Sequence, residues 1–238
     1  MRWITRICLL SGVVPALAEF PFSDSTVAKN DLASTNWCGS IQAASDGERF
    51  KSVSSTIVVP TVTGPMNAEY SAYAWIGIDG WDGLDNLFQA GLDIQGIESD
   101  DGSYYPQFRG YYEWYPEDAQ FFSTDELPLS SGDTLYVNIT AHSATTGTIY
   151  LENETQGKSK SFDFDEPSYP LRGRYAEWIV EEFSDVTLPA FGSITFDSNL
   201  AITSHGTSFD GSSASLIQAD TGLKASRASG GAVSVSVV

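Results

Sequence analysis

Apolar and polar residues alternate with a period of two along most of this chain, and that pattern confines it to β-structure. Residues 52–60, 72–79, 87–94, 111–115, 134–141, 148–151, 176–183, 193–197, 215–219 and 232–238 all read as strands. Clusters of Gly, Asp, Asn, Ser and Pro separate them, such as Asp79-Gly80, Asp101-Gly102 and Ser131-Gly132-Asp133. Within 134–140, Leu135, Val137 and Ile139 share one face, which leaves Asn138 outward. No stretch supports a helix longer than about two turns, and no repeat or linker divides the chain. The prediction is an all-β fold, one antiparallel β-sandwich starting at about residue 35. A length of 238 residues suits a single domain of that class.

The beginning of the chain obeys a different pattern. Arg2 and Arg6 precede a mostly apolar run that ends in Ala16-Leu17-Ala18. This reads as a secretory signal peptide over residues 1–18. A membrane anchor would need about twenty apolar residues, and Pro15 interrupts a run that is already shorter. A short polar lead or pro-segment over 19–35 and a domain over 36–238 complete the expected organisation. Cys8 leaves with the signal peptide, so Cys38 stands alone. A nucleophilic Cys38 would need an activating His; the favoured alternative is a small buried residue beside Trp37. Two sequons, Asn138-Ile139-Thr140 and Asn153-Glu154-Thr155, fit a eukaryotic secretory route and mark Asn138 and Asn153 as candidate glycan acceptors.

Charge narrows the partners. Lys and Arg total 12 against 31 Asp and Glu, a formal charge of -19. Nothing supplies the basic stripe that phosphate binding requires, so neither nucleic acid nor an anionic membrane is an expected partner. A disordered acidic tail is excluded as well, because 42% of the residues are hydrophobic and 13% aromatic.

The strand faces turned away from the core carry the chemistry. Tyr73, Trp75, Gly77 and Asp79 share one face of residues 72–79, opposite Ala74, Ile76 and Ile78. In the same way Leu87, Gln89, Gly91 and Asp93 oppose Phe88, Ala90, Leu92 and Ile94. Tyr111, Glu113 and Tyr115 oppose Tyr112 and Trp114, and Tyr175, Glu177, Ile179 and Glu181 oppose Ala176, Trp178 and Val180. Brought onto one sheet, these faces would make a groove of aromatics, carboxylates and one amide. The alternative is an ordinary solvated face, which would normally hold Thr, Ser and Lys without clustered aromatics. Metal chemistry has little support: His142 and His205 are the only histidines and sit in unrelated segments. No serine lies in a nucleophile-elbow pattern, and no phosphate loop or dinucleotide fingerprint occurs. Carboxylate chemistry remains, alone or with an amide.

Four motifs follow one another in order: Trp75-Ile76-Gly77-Ile78-Asp79-Gly80, Leu87-Phe88-Gln89-Ala90-Gly91-Leu92-Asp93, Tyr112-Glu113-Trp114-Tyr115-Pro116 and Ala176-Glu177-Trp178-Ile179-Val180-Glu181. With Asn36-Trp37 ahead of them, this series resembles the glutamic peptidases, or eqolisins, acid endopeptidases secreted mainly by filamentous fungi. The resemblance runs from about Asn36 to Phe196. It implies a concanavalin A-like, jelly-roll type sandwich of two large sheets with the active site on a concave face. Matched residue by residue, it implies Gln89 and Glu181 as the catalytic pair. Glu181 would act as general base toward water and then general acid toward the leaving amine; Gln89 would orient the water and stabilise the oxyanion. Trp75 matches a position that shapes the groove, and Glu113, Asp79 and Asp93 are candidates for orienting neighbours, with Glu177 also lining the site. The resemblance further implies a secreted monomer acting on polypeptides, with no metal or cofactor. Cys38 stands where Gly is common, the family's disulfide cysteines are missing, and Lys29 is the only base of the short lead.

A carboxylate with a reference pKa of about 4.3 can cycle between base and acid in an acidic medium, where His would stay protonated. A neutral amide keeps its N–H donors at any pH. A glycoside hydrolase or lectin on a similar sandwich is the competing class; it would set Glu181 against a second acid such as Glu113 or Glu177. The acidic composition is itself a statement about working pH. Near pH 3 most carboxylates are neutral and repulsion collapses. If the crowded acids have folded-state pKa values above their unfolded ones, stability is present in acid and is lost as pH rises above about 6. The melting temperature is therefore expected to be higher at pH 4 than at pH 7.5, and the reverse order refutes this.

Overall fold

The computed structural model describes residues 31–63, 67–84, 86–165 and 167–238. The signal peptide and most of the lead lie outside the described residues. In chain order the strands are β1 (Leu32–Ser34), β2 (Trp37–Ala43), β3 (Phe50–Val58), β4 (Ser71–Asp79), β5 (Leu87–Glu98) and β6 (Tyr104–Tyr115). Then come β7 (Gln120–Phe121), β8 (Thr134–Ala141), β9 (Thr146–Asn153), β10 (Lys158–Asp165), β11 (Tyr175–Glu182) and β12 (Ser193–Thr203). β13 (Ser208–Phe209), β14 (Ser215–Ala219), β15 (Leu223–Arg227) and β16 (Val233–Val237) complete the set. Among the described residues no helix is long and apolar enough to cross a membrane.

These strands form two sheets of eight. The front sheet runs β1-β14-β2-β11-β4-β5-β6-β7; the back sheet runs β10-β9-β8-β3-β12-β16-β15, with β13 beside β12. Pairing is antiparallel except for β1 on β14. The expected antiparallel sandwich is therefore the observed fold. The sheet begins earlier than residue 35, because Leu32–Ser34 pair with Ile217, Gln218 and Ala219 inside the segment read as a polar lead.

The alternation explains the layering. Ala74, Ile76 and Ile78 of β4, Phe88 and Leu92 of β5, and Trp178 of β11 point inward to meet Ile57, Val137, Ile139 and Phe196 of the back sheet. Trp114 and Trp178 are both fully buried, and each indole finds an acceptor. Trp114 Nε1 donates to the Tyr169 carbonyl at 2.8 Å, and Trp178 Nε1 to that of Ser54 at 3.2 Å. Cys38 is a buried free thiol on this inward side, paired across from Val180, as its size suggested.

A second apolar cluster lies on the other side of the front sheet. Ile41, Trp75, Leu87, Tyr111, Ile179 and Ile217 are buried there, with Trp37, Tyr73, Trp81 and Phe121 packed against them. Gly91 of β5 sits at the centre of this face, paired with Trp75 on one side and Tyr111 on the other. A Cβ at Gly91 would lie 2.1 Å from the Ala74 carbonyl oxygen and 2.7 Å from the Trp75 Cα, both backbone atoms that cannot turn aside. Gly91→Ala is expected to destabilise the protein by about 3 kcal/mol, read from the shift of the urea midpoint at an unchanged m-value.

Candidate active site

Strand register arranges the outer face in rows. Glu181, Tyr73, Asp93 and Arg109 form one row across β11, β4, β5 and β6. Ile179, Trp75, Gly91 and Tyr111 form the next, and Glu177, Gly77, Gln89 and Glu113 the third. A fourth row holds Tyr175, Asp79, Leu87 and Tyr115. Every polar residue singled out on these four strands thus lies on one face of one sheet. Period-two alternation put each on its strand face; the register of four antiparallel strands is what brings the faces together.

Glu181 sits among indoles and amides. Its Oε2 accepts from Trp75 Nε1 at 3.1 Å, and its Oε1 accepts from Asn36 Nδ2 at 2.9 Å. Trp37, directly across from it on β2, packs edge-on against Trp75 with ring centroids 4.9 Å apart. Burial pushes the Glu181 carboxyl up to about 7, against the opposing effect of the Trp37 and Trp75 N–H groups. This lies well above the reference value of about 4.3, because the aromatic floor removes the water that would hold the carboxylate there.

Gln89 is buried and held at both ends by β6. Its Nε2 donates to Glu113 Oε2 in a short contact, and its Oε1 accepts from the Tyr111 hydroxyl at 2.9 Å. Glu113 is itself raised to about 7, first by burial and then by the charge of Glu181. Tyr111 is raised well above 10 by burial, with Glu181 and Glu113 adding to it. Glu181 thus acts electrostatically on both groups that grip Gln89, which links the two halves of the expected pair. No hydrogen bond among the described residues joins Glu181 to another acid.

The remaining acids have other tasks. Asp79 is buried in a left-handed backbone conformation and accepts three backbone N–H groups, those of Arg172, Gly173 and Arg174, at 2.6–2.7 Å. It ties down the segment that leads into β11 and does not touch the Gln89 amide. Asp93 is paired with Arg109, whose Nε and Nη2 donate to one of its oxygens at 2.8 and 2.6 Å. The Arg109 guanidinium also lies 4.0 Å over the Phe121 ring. Burial still raises Asp93 to about 6 in spite of Arg109. Glu177 is fully buried, with both carboxyl oxygens unpartnered and one of them filling the space beside Gly77. Burial, reinforced by Asp79, raises its pKa well above 4.5, and at 0% exposure it lies beneath the face rather than forming a wall of it.

Sequence reasoning overlooked Arg109, the hydroxyl of Tyr111 and the contact from Asn36. Asn36 stood ahead of the four motifs and Tyr111 on a named strand face, but a hydrogen bond across strands needs the register. Arg109 was a lone base in an acidic face, and that contrast was the available signal. The two sequons differ in environment. Asn138 is half-buried on β8 with its Nδ2 3.4 Å from Ser52 Oγ. Asn153 is fully buried, its Nδ2 donating to the Pro128 carbonyl and Asp133 Oδ2 at 2.8 Å each. The folded protein has no room for a glycan on that nitrogen. His142 and His205 are exposed and follow the back-sheet strands β8 and β12.

The face thus carries a buried carboxyl and a held amide on an aromatic floor. The model of the peptidase A4 family matches residues 35–237, and the chain belongs to that family, whose members hydrolyse peptide bonds. Scytalidopepsin B of Scytalidium lignicola is 37% identical over 198 residues, covering 79% of this chain and 69% of its own length. Aspergillopepsin-2 of Aspergillus niger is 30% identical over 249 residues, covering 92% of this chain and 84% of its own. Scytalido-glutamic peptidase, solved with a peptide-based transition-state analogue, superposes with a TM-score of 0.70 at 33% identity over 86% of this chain and 98% of that one.

Glu181, Glu113, Asp93 and Glu177 all have folded-state pKa values raised above their unfolded ones. Their stabilising contribution is complete in acid, below about pH 4, and is lost as pH rises through 6 and 7 and beyond. Glu177 has no partner to share that cost. Glu177→Gln is therefore expected to reduce the fall in melting temperature between pH 4 and pH 7.5 by about 2 °C or more; a fall as large as in the native protein refutes the assignment.

Proposed function

We propose that this chain is a secreted acid endopeptidase that cleaves polypeptides with Glu181 and Gln89 as its catalytic pair. The observation that carries the reading is the grip on Gln89: Tyr111 and Glu113 hold its amide on the same face where Trp75 and Asn36 hold Glu181. A related structure contains a peptide-based transition-state analogue, and another the tripeptide Ala-Ile-His. An extended peptide is the ligand a face of this kind accommodates.

In this mechanism ionised Glu181 takes a proton from a water molecule as the water oxygen attacks the scissile carbonyl carbon. Negative charge moves to the carbonyl oxygen, and the Nε2 proton of Gln89 not used by Glu113 donates to it. The tetrahedral intermediate collapses when Glu181 passes its proton to the amine nitrogen, and the C–N bond breaks. Glu181 returns to the carboxylate state for the next turnover. With its pKa raised to about 7, most Glu181 is protonated in acid, and the ionised fraction is the one that starts the cycle. The base form grows tenfold per pH unit toward neutrality, while the folded state loses stability over the same interval. Activity belongs in the acid range between these two limits.

The glycosidase alternative needs a second carboxylate facing Glu181. Glu113 feels the charge of Glu181, but its hydrogen bond is committed to Gln89. Family membership argues on the same side.

The test is digestion of a denatured protein from pH 2 to pH 7 with pepstatin present. Cleavage is expected to continue under pepstatin and to fall by about 100-fold or more in both Glu181→Gln and Gln89→Ala. Complete inhibition by pepstatin, or native rates in either variant, overturns the reading.

A further inference from the structure

The amide of Gln89 can present either its nitrogen or its oxygen to a substrate, and only one of these is useful. A reversed amide would aim a lone pair at the developing oxyanion. Some neighbour must therefore choose between two shapes that are nearly identical in size.

Glu113 makes that choice only when ionised, because an ionised carboxylate accepts and cannot donate. Raised to about 7, it is protonated throughout the acid range, and a protonated carboxyl can either accept from Nε2 or donate to Oε1. The selecting group in acid has to come from elsewhere on the face. Tyr111 is the other group in hydrogen-bond contact with the amide, 2.9 Å from Oε1. Its side chain is fully buried. A buried hydroxyl proton without an acceptor is costly, and Oε1 of Gln89 is the acceptor it reaches.

The sheet explains why the tyrosine is so placed. Tyr111 pairs with Gly91, and its ring packs against Tyr73 with centroids 4.4 Å apart. Gln89 is two residues from Gly91 on the same face of β5, and Glu113 is two residues from Tyr111 on β6. One strand thus supplies both ends of the clamp on the amide. The titratable groups facing this clamp are Glu113, Glu181, Tyr73 and Asp93, the last paired with Arg109; Glu177 lies in the same row as Gln89.

We propose that Tyr111 is a positioning residue of the reaction, whose hydroxyl holds the Gln89 amide with its nitrogen turned to the substrate carbonyl. This rests on the assignment of Gln89 as the oxyanion donor. Tyr111 makes no contact with the reacting atoms and acts through the amide alone. Removing its hydroxyl leaves the ring packing and the apolar floor in place, so substrate binding is unaffected while the reactive geometry is lost in part.

The experiment compares native protein, Tyr111→Phe and Gln89→Ala at pH 4, measuring kcat and KM on a peptide substrate and melting temperature on each protein. Tyr111→Phe is expected to lower kcat about tenfold, the size of one hydrogen bond, with KM within twofold of native. Its melting temperature is expected to stay within a few degrees. A native kcat in Tyr111→Phe, with Gln89→Ala inactive, overturns the role of Tyr111 and leaves the catalytic pair standing. A native kcat in Gln89→Ala overturns the catalytic pair itself, and this inference with it. A rise in KM without loss of kcat assigns Tyr111 to substrate binding and refutes positioning. Side-chain amide relaxation of Gln89 in the native protein supplies a readout that does not depend on whether the variant folds. An order parameter near 0.85 is expected, and one below about 0.6 refutes a held amide.

Discussion

The front sheet has to be buried on both faces, and the rest of the structure follows from that requirement. Its inner face meets the back sheet in the ordinary way, through Ile76, Phe88, Leu92 and Trp178. Among the described residues its outer face has no third layer, and its own aromatics cover it. Trp75 and Tyr111 are as buried there as any core residue. A glycine helps make this possible: Gly77 leaves the floor low enough for the Trp75 ring and the Glu177 carboxyl to lie across it. Any carboxyl set into this dry surface loses water on one side while remaining open to a ligand on the other.

That dryness changes the chemistry expected of the acids. Desolvation, more than neighbouring charge, raises Glu181, Glu113, Glu177 and Asp93. The environment supplies few donors to offset it, namely indole N–H groups, two amides and one guanidinium. Asp79 has a different task on this face, its oxygens accepting three backbone N–H groups. Acidic composition and acid function are connected here through particular buried groups and not only through the sum of charges.

The fold was legible because alternation is a local property. Leu135, Val137 and Ile139 declare an inward face without reference to any other strand, and the same holds for Ala74, Ile76 and Ile78. Strands β2, β10 and β15 were missed for identifiable reasons. β2 mixes Gly39 and Ser40 with Trp37 and Ile41 because it is covered on both sides. β10 is an edge strand whose Lys158 and Lys160 belong to solvent. β15 is short, with only Leu223 and Ala225 turned inward. At the site, sequence placed Gln89, Glu113, Glu181, Trp75 and Tyr111 on outward faces, but not the hydrogen bonds that join them. Whether Glu177 lines a surface or lies beneath it depends on the bulk of Trp75 and Leu87 around Gly77, which no pattern within β11 records.

The first short strand has a bearing on how such a chain can be processed. Leu32–Ser34 pairs alongside β14 at the margin of the front sheet, and Ser34 Oγ receives the backbone N–H of Trp37 at 3.1 Å. Two residues beyond Ser34, Asn36 reaches Glu181. A maturation cut placed just before Asn36 would strip the margin strand from β14 and leave a new α-ammonium beside the carboxyl it steadies. Removal that stops ahead of Leu32 would preserve both. The position of any such cut would thereby bear on the ionisation of Glu181.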